Sequence, residues 1–84
     1  MYLISMSEFL GWQDIENMFI DKWKAKQSFT ESEIKELLDL AITIYEMASE
    51  DKNIEKMKEY ATYIRNFQSM LGMELRGFPE LGIK

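Results

Sequence analysis

Cysteine and histidine are both missing from this chain. Without cysteine there is no disulfide, no zinc–thiolate site and no thiol nucleophile. Without histidine the usual general base, the commonest transition-metal ligand and the usual pH switch are gone as well. Proline occurs once, and three of the four glycines fall with it in the last thirteen residues, so a long stretch carries no helix breaker. No apolar run approaches the roughly 18–20 residues that would span a membrane. The opening Met1–Met6 is apolar but lacks the basic start and long apolar core of an export signal. A cytoplasmic chain with no membrane partner is the expectation.

What is present favours one small helical domain over residues 1–84. Apolar residues make up 46% of the chain, enough for a core, and 30% are charged, enough for solubility. Phe9, Trp12, Ile15, Phe19, Ile20 and Trp23 recur at three- and four-residue steps and predict a first helix over about 7–26. Ser5 or Ser7 can cap it, and Lys22, Lys24 and Lys26 suit its C-terminal end.

Thr30-Glu31-Ser32-Glu33 has the form of a capping box and predicts a second helix over about 30–50, with Phe29 and Ile34 placed as a hydrophobic staple. Its apolar residues, Ile34 to Ala48, cover an arc of roughly 220°, about twice that of an ordinary surface helix, so neighbours on more than one side are expected. A short polar connection at 50–53 leads to a third helix over about 53–71, striped by Ile54, Met57, Ala61, Ile64, Gln68 and Leu71 and ended by Gly72. Two amphipathic helices so joined form an antiparallel hairpin over about 30–71. Its register should oppose Ala48 to Ile54, Ile44 to Met57, Ala41 to Ala61, Leu37 to Ile64 and Ile34 to Gln68. The tail, 72–84, holds Gly77, Pro79 and Gly82 among Leu75, Phe78, Leu81 and Ile83, and is expected as an extended segment packed over the helices. The fold class is therefore all-α, with three helices and a C-terminal tail.

Chemistry has few carriers. There is no triad, no nucleophile-elbow serine context, no glycine-rich phosphate loop and no calcium-loop pattern around Asp51 and Asn53. The expectation is a protein that is not an enzyme, with no catalytic residue, metal ligand or cofactor. The net charge of −5 argues against direct nucleic-acid binding, which needs cations to neutralise phosphates.

That charge is unevenly placed. Residues 30–51 carry seven acids against Lys35 alone, whereas 52–72 are mildly basic through Lys52, Lys56, Lys58 and Arg65. Glu36, Asp39, Thr43, Glu46 and Glu50 step by three and four along the polar face of the second helix. Such a face can simply be solvated, or its acids Glu36, Asp39, Glu46 and Glu50 can dock a protein with a basic surface. A second candidate surface is the aromatic face of the first helix: Trp12, Phe19 and Trp23 surround a lone carboxylate, Glu16. There Glu16 is either a boundary residue paired with a lysine or part of a contact with another chain.

The functional expectation is a small acidic protein–protein interaction module, a regulator, adaptor or inhibitor. Three alternatives stand beside it: an acidic mimic that blocks a nucleic-acid-binding enzyme, a self-associating structural subunit such as a homodimer, and a DNA-binding module using the third helix.

Overall fold

A computed structural model describes residues 11–84, with side chains from Gln13 onward; the expected helix start at Ser7, its serine cap, Phe9 and the Trp12 side chain lie outside the described residues. Among the described residues three α-helices form the domain: α1 (Gly11–Lys24), α2 (Glu31–Glu50) and α3 (Ile54–Met70). The helical hairpin is α2–α3, and α2 packs against both α1 and α3, as its broad apolar arc requires.

Local chemistry explains the boundaries of α2 and α3. The capping box of α2 is complete: the Glu33 amide donates to Thr30 Oγ1 (3.2 Å) and the Thr30 amide to Glu33 Oε1 (2.8 Å). Two otherwise orphaned N–H groups are thereby satisfied. At its other end α2 closes with the Asn53 amide on the Ala48 carbonyl (2.9 Å) and the Lys52 amide on that of Ser49 (3.0 Å). That double closure places Lys52 in the left-handed region, φ 58°. Asn53 then caps α3 by accepting from the Lys56 amide through Oδ1 (3.2 Å). The end of α3 repeats the geometry with a glycine: Gly72 has φ 71°, and the Met73 amide reaches the Gln68 carbonyl at 2.8 Å.

The core runs along the hairpin. Leu37, Ala41, Ile44 and Ala48 of α2 and Met57, Ala61 and Ile64 of α3 are buried, the residues that the expected register opposes. Ala41 and Ala61 are both fully enclosed, consistent with close backbones at mid-hairpin. Ile54 departs from expectation and stays half-exposed, because it opens α3 at the very end of the bundle while Asn53 takes up the Ala48 carbonyl.

The backbones of α1 and α3 approach less closely than either approaches α2. Aromatic rings fill that wider gap. Phe19 meets Tyr63 at 5.0 Å, Tyr60 at 5.4 Å and Phe67 at 6.0 Å between centroids, each edge to face, and Trp23 meets Phe67 edge-on at 5.2 Å. Rings so arranged bury large areas and add quadrupole attraction. The aromatic richness of the chain has its structural use here.

The tail packs on the hairpin, but it is not extended throughout. Pro79–Leu81 form a 3-10 turn, Gly82 turns left-handed (φ 75°), and Phe78 and Ile83 exchange two backbone hydrogen bonds at 2.7 and 3.0 Å. Pro79 pre-sets the first turn residue and Gly82 tolerates the positive φ, so the breakers close a loop instead of loosening one. Phe78 is fully buried, with Tyr45 at 4.8 Å. Arg65 Nη1 donates to the carbonyls of Arg76 (2.9 Å) and Lys84 (3.1 Å), and the Arg76 amide donates to Gln68 Oε1 (2.8 Å).

Candidate functional site

Burying two sides of α2 leaves one narrow polar face. Glu36, Asp39, Thr43, Glu46 and Glu50 are all exposed on it. From Glu36 to Glu50 the line is about 21 Å long at 1.5 Å per residue. The Thr43 hydroxyl is turned inward, donating to the Asp39 carbonyl at 3.0 Å, so the face presents carboxylates almost alone. Of the lysines paired nearby, only Lys22 reaches the line, at Glu36. Lys26 pairs with Glu33, Lys35 with Glu31 at 3.4 Å, and Lys22 with Glu36 at 3.6 Å. Asp39, Glu46 and Glu50 have no cationic partner among the described residues. The Lys22–Glu36 pair is more than half exposed on both sides, a class of contact worth at most about 1 kcal/mol.

A groove opens beside the N-terminal half of this face. Lys22, Ala25 and Lys26 form its α1 side, and Phe29, Glu33, Glu36 and Leu37 the rest, around about 200 Å³. It continues past Lys22 and Glu36 to Asp39 and Leu40. Trp23 stacks on Phe29 at 5.4 Å behind the groove wall. At its rim Glu33 is firmly ionised: the Lys26 ammonium and then the Thr30 backbone hold its carboxyl down at about 2.

The second sequence candidate is distributed differently. The Trp12 side chain is outside the described residues. Phe19 is fully buried, so it belongs to the core and offers no surface to another chain. Trp23 is half-buried against Phe29, Tyr63 and Phe67. Glu16, 12% exposed at its side chain, finds donors within the chain: the Tyr60 hydroxyl at 2.6 Å and Lys56 Nζ at 2.9 Å. Lys56 also reaches Glu59 at 2.9 Å. Burial first, and then this carboxylate, push the Tyr60 hydroxyl well above the usual tyrosine range, while Glu16 and Glu59 raise Lys56. Geometry of this kind is that of a boundary carboxylate paired with a lysine.

Two of the three basic residues of α3 are likewise engaged, and Lys58 is exposed. Lys56 holds Glu16 and Glu59, and Arg65 holds two tail carbonyls. A recognition helix would need these cations aimed at phosphates. Among the described residues no group of three or more His, Cys, Asp or Glu side chains is placed to hold a metal, and no helix is long and apolar enough to cross a membrane. Tyr60, Lys56, Arg65 and Gln68 carry the polar organisation yet stand out little in sequence; only the polar Gln68 on an apolar stripe marked its position. No protein-family model, curated protein or solved structure matches the chain.

Proposed function

We propose that this protein is a small helical interaction module, with no catalytic activity of its own, that docks a protein with a basic surface on the acidic face of α2. It would act as a regulator, adaptor or inhibitor of that protein. One observation carries the reading: Asp39, Glu46 and Glu50 stand in line without a cation among the described residues, while Lys22, Lys26 and Lys35 pair with Glu36, Glu33 and Glu31. Like charges three and four residues apart cost a helix a few tenths of a kcal/mol per pair. A basic partner removes that repulsion on binding, and the exposed field steers the encounter. Burial of Phe19 and the internal pairing of Glu16 leave the aromatic face of α1 with less to offer a partner than the acidic one.

The test is affinity capture from the native host with the wild-type chain and with a variant carrying Glu36→Gln, Asp39→Asn, Glu46→Gln and Glu50→Gln. A docking face predicts a bound basic protein that elutes at moderate salt, and slower association for the variant. Equal capture by both chains would leave the face merely solvated. Displacement of the captured protein by DNA would identify the interaction as imitation of nucleic acid.

A further inference from the structure

We propose that the groove between α1 and α2 receives a bulky apolar side chain from the partner, and that the docking segment is an amphipathic basic helix. This rests on the reading that the α2 face binds a basic protein. The groove and the acidic line are continuous, meeting at Glu36, Asp39 and Leu40. Ala25, Phe29 and Leu37 give its closed end, about 200 Å³, an apolar wall between Lys22, Lys26, Glu33 and Glu36, room for one or two aliphatic side chains, and Leu40 lines the shallower extension. Phe29 and Leu40 are only half-buried, so water is left to expel from them. The stacked Trp23 backs the Phe29 ring, which gives the pocket a fixed side. The bridge across its mouth, Lys22 to Glu36, is the exposed and weak pair described above and can yield to an incoming group.

Spacing selects a helix over an extended peptide. The acids lie three, seven and four residues apart, one or two helical turns, at roughly 5 or 10 Å of rise. Same-face side chains of another helix repeat at the same interval, whereas those of a strand repeat every 6.6 Å or so. Over four steps a strand falls out of register by about a full side-chain position, and an antiparallel or parallel helix stays in phase. Charge complementarity then asks for lysine or arginine opposite Asp39, Glu46 and Glu50, with the apolar side chain one turn beyond the basic run, over the groove.

Three synthetic helical peptides test this against the intact chain. The first carries four lysines at three–four spacing and two leucines one turn beyond them. The second replaces the leucines by glutamine, and the third replaces the lysines by glutamine. Titrations followed by amide NMR should show the first peptide shifting Ala25, Phe29 and Leu40 together with the acidic line. The second should bind on the order of tenfold more weakly or worse, with shifts along the acidic line alone. Leu40→Gln should bring the first peptide down to the second and leave the second unchanged. Ala25→Gln, at an exposed position, should do the same by filling the groove, and covers the case in which Leu40→Gln disturbs folding. Equal affinities of the first two peptides would overturn the groove and leave the acidic docking face standing. Binding that is indifferent to neutralising the α2 acids would overturn both. If Leu40→Gln instead dissociates the free protein into smaller species in the ultracentrifuge, the groove belongs to a second copy of the chain and the proposal falls.

Discussion

Two sets of carboxylates in this molecule share a residue type and a helical setting and differ in everything else. Glu16 of α1 is nearly enclosed, with a hydroxyl and an ammonium at hydrogen-bonding distance. Asp39, Glu46 and Glu50 of α2 are open to water with no cation among the described residues. The first binds α1 to α3; the second contributes nothing to packing. Acidic residues in one small domain thus separate into those the fold consumes and those it leaves for solvent or a partner.

The strongest way to break the comparison is Glu16→Leu. It deprives the part-buried Tyr60 hydroxyl and Lys56 of their shared acceptor, and should cost about 1–3 kcal/mol in urea denaturation. An unmoved midpoint would mean that the network carries no stability. Tyr60→Phe sharpens the point. In the wild-type background it should cost about 1 kcal/mol, and in the Glu16→Leu background clearly less, because the hydroxyl has already lost its partner. Additive losses would show that the two residues act separately.

A pH profile tests the hydrogen-bonded groups around these sets. Glu33, held at about 2, and Glu80, lowered by the Tyr45 hydroxyl, have folded values below the unfolded 4.5. Their contribution is complete above that value and is lost as pH falls toward 2. Burial and the Glu80 carboxylate push Tyr45 up to about 12, and Tyr60 is raised too, so both contribute below the unfolded 10 and lose that contribution as pH rises beyond it. Urea midpoints measured from pH 2 to 12 should therefore fall at both ends. Glu16→Leu should reduce the alkaline loss, since it removes one cause of the Tyr60 shift. The smallest effect belongs to the exposed set: neutralising Glu36, Asp39, Glu46 and Glu50 should leave stability within about 0.5 kcal/mol of wild type or slightly raise it. A large loss would place those acids among the structural ones.

What could be read in the sequence was what lies close along it. Thr30 and Glu33 are three residues apart, and their capping box needs no knowledge of the fold. The buried faces of α2 and α3 followed from three–four periodicity across a short turn. Glu16 was visible as an anomaly, but its partners Tyr60 and Lys56 lie some forty residues away, and no local pattern joins them. Burial of Phe19 was hidden for the same reason: a face without a known neighbour reads equally as core or as interface. The tail's apolar content announced packing, whereas the turn at Pro79–Leu81 depends on Phe78 having a place beside Tyr45.

The tether of Arg76 also sets a proteolytic clock. Its amide is held by Gln68, its carbonyl by Arg65, and its guanidinium lies over the rings of Tyr45 (5.4 Å) and Phe78 (4.9 Å). Trypsin must draw a basic residue and its neighbours into an extended, unencumbered strand before cutting. The Arg76–Gly77 bond meets that demand only when the tail peels away from the hairpin, so its cleavage rate reports tail opening. Exposed lysines of the helices are cut through other, helix-melting events. A partner that touches α2 alone would leave the Arg76 clock running at its own pace, and one that grips the tail would stop it.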